Sequence, residues 1–419
     1  MKLENIGCLK CGGVLVKKSD NVYLCEDCGR SFSKKAIENA TEKMLREILL
    51  QRIAERNAQK IASDGDFYPT LNDYDVSEFQ IDNGVLTEHK KYRKEGEIRI
   101  PKGVTAIDNL AFSYSCMSNV VIPDSVVSIG DTAFSECNNI THLQLPQGLA
   151  SVGKNAFREC SKLEEVIIPD SVTDIGQGAF SQCLKLVSII VDKNNPRYKS
   201  DGNCLIDKST KTLILGSSDG VIPDDGSVKV IGDNAFAYCN IQSAVIPDSV
   251  IEIGYNAFAN CKNLTDVILG RNLTVINRES FSCCCNLTDI TVLSKHLSLV
   301  DECTFYNCGS LKKVAVPTTI STLKRSVFNS TGLTDIMIPR NVTVIEDGVF
   351  FNCAELRSAQ IPASVRSIGH AVFSGCVNLS QIKYDGTIAQ WRSIKFSKYG
   401  WYYDIPAKYV ICRDGKIPI

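Results

Sequence analysis

From about residue 67 onward, the apolar positions return at a fixed step. One unit, starting at Leu163, reads LEEVIIPDSVTDIGQGAFSQC, and VIPDSVVSIGDTAFSEC (ending at Cys137) and VIPDSVIEIGYNAFANC (ending at Cys261) restate it. Within the unit, Leu163, Val166 and Ile168 alternate with Glu165 and Ile167. That period of two predicts a short parallel strand with its apolar set inward. Pro169 ends the strand because it has no amide to give to a ladder. Val172 and Ile175 are expected to cover the far side, Gly176 to turn the chain, and Ala179 and Phe180 to fill the interior. Eleven phenylalanines mark the unit: 112, 134, 157, 180, 236, 258, 281, 305, 328, 350 and 373. Nine of their ten intervals are 22–24 residues, and the one from Phe180 to Phe236 is 56. A repeat of this length cannot bury its own apolar face, so the pattern predicts stacked coils, each packed only on its neighbours.

Two breaks in the rhythm read as hairpins. Phe79–Leu86 contains an Asn83-Gly84 turn and precedes the first coil, whose open end it should shield. The long interval holds two strand-like arms, Asn203–Ile206 and Thr212–Leu215, in an insertion spanning 192–222. The second arm runs into Gly216-Ser217-Ser218-Asp219-Gly220, formally GxSxG. A hydrolase needs that motif at a strand-to-helix elbow beside a base; here another Val-Ile-Pro unit follows, so it reads as a turn. After Tyr384, Thr387 and Gln390 form a capping box for a short helix carrying Trp391. Both tryptophans and several tyrosines fall in residues 385–419, an atypical cover for the last coil.

The first 66 residues carry a different pattern. Residues 34–62 lack Gly and Pro, and Ala36, Ile37, Ala40, Met44 and Ile48, with Leu45, Leu49 and Ile53, recur at three- and four-residue steps. This predicts a long amphipathic helix within a 34–66 linker, one face of which offers self-association. Ahead of it, Cys8-Leu9-Lys10-Cys11 and Cys25-Glu26-Asp27-Cys28 are two CxxC pairs with the spacing of a four-thiolate zinc site. The arms 13–16 and 22–24 read as a hairpin between them. The segment resembles a zinc ribbon, which implies one structural Zn2+ held by Cys8, Cys11, Cys25 and Cys28 and a domain spanning 1–33.

The repeat itself, LxxVxIPxSVxxIGxxAFxxC over roughly residues 77–382, resembles the BspA-like leucine-rich repeats found in bacterial surface antigens. That resemblance implies a mainly β, curved, right-handed solenoid of about eleven 23-residue coils over 67–384, used to bind other molecules and carrying no catalytic motif.

Composition narrows the function further. The 46 basic and 47 acidic residues nearly cancel, which argues against a surface built for nucleic acid or anionic membrane. Nucleic-acid binding through the ribbon, which has several lysines, stands as an alternative. No apolar run reaches the ~18 residues of a membrane span. No export signal is visible at the start of the sequence, so a cytoplasmic protein is expected, with the cell surface as the alternative by resemblance. Nineteen cysteines in that setting point to metal ligands and buried thiols rather than disulfides. Nine of them stand three residues after a marker phenylalanine, which predicts a buried spine of reduced thiols.

The reading is therefore of a non-enzymatic interaction protein with an unidentified protein partner. Strand alternation puts two columns on the outer side of the stacked strands. One contains Val121, Ile167, Ile190, Val245, Ile268 and Met337; the other contains His142, Glu165, Asp266, Asp289 and Asp335. The first is unusually apolar for an outward column, which makes these residues the candidate partner-binding set.

Overall fold

The computed structural model describes residues 15–19, 22–25, 31–33 and 78–419. The chain divides into two compact units, 1–68 and 69–419. In the first, Leu15–Ser19, Val22–Cys25 and Ser31–Ser33 form a three-stranded antiparallel sheet, with Leu15 opposite Cys25 and Tyr23 opposite Phe32. The hairpin falls where the sequence places one, and the third strand is additional. Cys8, Cys11, Cys28 and the 34–66 segment lie outside the described residues.

In the second unit, a β-solenoid of about 13 turns with a spacing near 23 residues replaces the expected eleven coils. Each regular turn gives two short parallel strands. A broad face is built from strands such as Glu165–Ile168 and Ser188–Val191, paired residue for residue as Glu165–Ser188, Val166–Ile189 and Ile167–Ile190. A second column is built from two-residue strands such as Ser151–Val152 and Asp174–Ile175.

The two extra turns explain the miscount. His89 stacks on Phe112 at 5.2 Å, and its amide donates to the Ala111 carbonyl just as the Phe112 amide donates to Ala133. At the other end the Phe373 amide donates to Trp401, whose ring stands edge-on to Phe373 at 6.0 Å. His89 and the Trp401-Tyr402 pair thus stand in the marker's place without being phenylalanine.

Between these ends the rings form a near-parallel stack. Adjacent centroids lie 4.8–5.8 Å apart with planes within 13°. The stack is interrupted once, at the insertion. There Gly216 lies so close to Phe236 that a Cβ would sit 1.9 Å from the ring. The core accordingly falls into two clusters, one running from Phe79 to Leu215 and the other from Cys204 to Cys412.

The tight turn around each ring is made by left-handed backbone two residues before and two after it. Asn155 (φ 53°) and Glu159 (φ 59°) flank Phe157, and Asn256 (φ 54°) and Asn260 (φ 59°) flank Phe258. Gly176 opens the turn after Asp174–Ile175, its carbonyl accepting from the Ala179 amide at 3.2 Å, without being one of these left-handed positions. It is required for proximity: a Cβ there would lie 2.5 Å from the Lys154 nitrogen.

The insertion is a three-stranded antiparallel element, Tyr198–Asp201, Cys204–Asp207 and Thr212–Gly216, one strand more than the sequence suggests. Buried Asn195 ties it to the preceding turn by donating to the carbonyls of Pro169 (2.8 Å) and Val172 (2.9 Å). The Tyr198 hydroxyl accepts from the Ile175 amide at 3.0 Å. At the C-terminus, the capping box of Thr387 and Gln390 opens the helix Ile388–Arg392, with Trp391 buried.

Candidate binding face

The outward columns are in register along the broad face. His142, Glu165 and Ser188 are aligned, as are Gln144, Ile167 and Ile190. After the insertion come Ser243, Asp266 and Asp289 beside Val245, Ile268 and Thr291, then Asp335–Ser358 and Met337–Gln360. Alternation follows from the strand period of two, and it holds because each inward neighbour is fully packed. Ala244, Val267 and Ile336, for example, are all at or below 6% exposed.

Exposure along the columns is uneven. Val121, Ile167 and Ile190 are half-buried, whereas Val245 is 61%, Ile268 39% and Met337 71% exposed. His142, Asp266, Asp289 and Asp335 are exposed. Glu165 corrects the reading: it is outward in register but buried, at 8%. Its carboxylate accepts a hydrogen bond from the Ser188 hydroxyl at 3.1 Å, which turns the side chain along the face. Asp335 likewise accepts from the Ser358 hydroxyl at 2.5 Å, and that bond holds its carboxyl below the usual carboxylate range.

Two hollows open on this face. The first, about 460 Å3, has Val245, Ile268 and Leu293 on one side and Val221 and Ile222 on the other. Arg271 and Asp248 stand at its rim, 3.6 Å apart. The second, about 610 Å3, is lined by Gln360 and Lys383 of the Met337 column together with Arg340, Arg413 and Asp385. The Gln360 amide donates to Asp385 at 2.9 Å. Both hollows are open grooves, with no nucleophile–base pair among the residues that line them.

The sequence profile described as BspA type leucine rich repeat region matches in six copies over residues 90–202, 229–357 and 277–401. The chain belongs to the BspA-type leucine-rich repeat family. Among solved structures it is similar to a leucine-rich repeat protein from Bacteroides ovatus, at 28% identity and TM-score 0.51, covering 72% of this chain and 83% of that one. It is also similar to a leucine-rich cell surface protein from Faecalibacterium prausnitzii, at 23% identity and TM-score 0.40 over 76% and 95% of the two chains. A third similar structure is the pneumococcal vaccine antigen PcpA, at 19% identity and TM-score 0.45 over 72% and 73%. No curated protein matches the chain. Among the described residues, no helix is long and apolar enough to cross a membrane.

In this BspA-type solenoid the cysteine column does more than fill space. Cys137 donates to the Phe112 carbonyl (3.1 Å), Cys160 to Phe134 (3.3 Å), Cys261 to Phe236 (3.0 Å), Cys284 to Phe258 (3.1 Å) and Cys376 to Phe350 (3.0 Å). Each thiol is a second donor to a backbone carbonyl one turn back that already accepts an amide of its own turn, as Phe134 does from Cys137 and Phe236 from Cys239. The sequence shows the column but not its acceptor, which belongs to another repeat. Burial pushes the Cys239 and Cys284 thiols up to about 12, so they stay protonated donors at neutral pH and poor nucleophiles. Ser115 stands in the thiol's place in the first marked turn, against the His89 imidazole at 3.3 Å.

In the GxSxG segment, the Ser218 hydroxyl donates to Leu184 (3.4 Å) and accepts from the Asn240 amide (3.3 Å). No histidine is among its partners, and the segment is a turn. Cys283, Cys284 and Cys285 point apart, half-buried, buried and exposed respectively.

Proposed function

We propose that this protein is a non-enzymatic recognition module that binds a protein partner on the C-terminal part of its broad face, around Val245, Ile268 and Met337. The single observation behind this is the exposure of those three apolar side chains at outward strand positions that an inert surface would fill with polar ones. Exposed apolar surface with a polar rim favours an interaction site. Asp266, Asp289 and Asp335, on the neighbouring column, supply the charge that orients a partner. His142, Glu165, Val121, Ile167 and Ile190 flank this surface and are secondary.

The reading extends to the first unit. Cys8, Cys11, Cys25 and Cys28 are taken to hold one structural zinc, supported by their spacing and by the antiparallel backbone pairing of the 15–25 hairpin. The ribbon would serve as an adaptor, with the 34–62 segment as a self-association helix. Metal bound by thiolates, and free thiols throughout the described solenoid, favour a reducing, cytoplasmic setting over the cell surface.

The test is capture of partners from the source cell by the immobilised protein and by a Val245→Asp/Ile268→Asp variant. The reading expects a specific partner to be lost with the variant while the melting temperature stays within a few degrees. Unchanged capture by a folded variant would overturn it. Metal analysis should find about one zinc per chain, absent from a Cys8→Ser/Cys11→Ser variant.

A further inference from the structure

The broad face has a gap at the insertion. Ser243–Val245 pairs with Asp266–Leu269 on one side only; it is the edge strand of its group, which continues to Asp289–Val292. The unit that precedes it, Val221-Ile222-Pro223, has the repeat's strand sequence but forms no ladder with it. The Val221 amide is instead engaged by the Gly202 carbonyl at 2.8 Å. On the opposite column the solenoid stays closed, because Thr212–Gly216 pairs onward with Val230–Ile231 and Glu252–Ile253. The turn is therefore open on one face, and the hollow of about 460 Å3 is that opening.

An unpaired strand edge is a template for another strand. A three-residue stretch of strand, at a rise of ~3.3 Å, a lateral spacing of ~4.8 Å and a thickness of ~10 Å, fills roughly 480 Å3. The hollow, at about 460 Å3, matches a stretch as long as Ser243–Val245 in size. In an added strand one set of alternate side chains faces inward, toward Ile222, Ile241 and Ala244 of the hollow's lining, and the other faces outward, on the side that carries Val245 and Asp266.

The charge around the opening selects the occupant. Among the described residues, Arg271 is the one cation lining the hollow, and it is engaged with Asp248. Asp224, at the lip, and Asp266 and Asp289, on the adjoining strands, are exposed and form no ion pair among the described residues. We propose that this opening accepts an extended peptide segment, apolar at its inward-facing alternate positions and lysine- or arginine-bearing at its outward-facing ones, as an added strand on Ser243–Val245. The inference rests on the proposed binding face and names the chemistry of its partner.

The probe is a fluorescent acetyl-Lys-Val-Lys-Val-Lys-amide peptide, compared with its Glu-Val-Glu-Val-Glu counterpart and with a version N-methylated at alternate amides. Strand addition expects the basic peptide to bind at least ten-fold more tightly than either control. It also expects a ten-fold or greater loss with Val245→Arg, a surface change that leaves the core intact. Equal affinity for all three peptides, or no effect of Val245→Arg, would overturn it. If no peptide binds while capture on the face still depends on Val245 and Ile268, strand addition falls and the binding face stands. If neither occurs, both fall.

Discussion

The two halves of the solenoid, on either side of the insertion, share one interior and differ in their faces. Phe134 on Phe157 and Phe236 on Phe258 stack at the same 5.0 Å and 4°, and the thiols of Cys160 and Cys261 make the same bond to the preceding turn. On the outside, Ile167 and Ile190 are half-buried and Glu165 is buried against Ser188, so the last strands before the insertion cover their own outward positions. Past the insertion, Val245, Ile268 and Met337 stand open beside exposed carboxylates. A repeat's inward positions specify the fold, and its outward positions are free to specify a partner. The two sets vary independently because a strand sends them to opposite sides.

Sameness of the interior can be broken first. Phe157→Ala and Phe258→Ala should each cost about 3–5 kcal/mol in urea unfolding, and the two should agree within about 1 kcal/mol. A large inequality would show that the halves do not pack alike. A smaller loss, about 1–3 kcal/mol, is expected for Asn195→Ala, which leaves two buried carbonyls without their donor. This loss should fall on the insertion, read as faster amide exchange in Asp192–Asp207 rather than in Ser243–Cys412.

His89 makes the N-terminal end sensitive to pH. Burial lowers its pKa from 6.5, Glu78 opposes the shift, and Lys94 and Lys91 add to it. The imidazole lies between Phe79 and Phe112, and among the described residues its Nε2 has no partner. Because the folded pKa is depressed, the unfolded chain binds the proton more readily. The neutral ring's contribution is therefore complete above 6.5, declines as pH falls, and levels off below the folded value. His89→Phe should flatten that slope, measured as melting temperature between pH 7.5 and 5. The smallest effect is a gain: Leu110 is left-handed at φ 62° and exposed, so Leu110→Gly should stabilise by about 0.5–1 kcal/mol.

The period, the strand register and both hairpins were legible because they depend on the spacing of apolar residues within one chain segment. The end turns were not, since His89 and Trp401 fill a phenylalanine's place by packing rather than by identity. The left-handed turns also escaped notice: Glu159, Cys283 and Leu110 carry no turn signal of their own and are held there by amides that bond to the next turn. The exposure of Val245 against that of Ile190 could not be read either, because both are aliphatic residues at equivalent positions. The two positions lie on opposite sides of the insertion.

That difference is the centre of the account, and site-specific photocrosslinking tests it most directly. A benzophenone amino acid placed at 268 and, separately, at 190 samples equivalent positions of the two halves. Irradiation in the source cell should join the position-268 protein to a discrete partner, with little or no adduct from position 190. Equal adducts at both positions, or adducts from 190 alone, would contradict the assignment of recognition to the C-terminal half of the face.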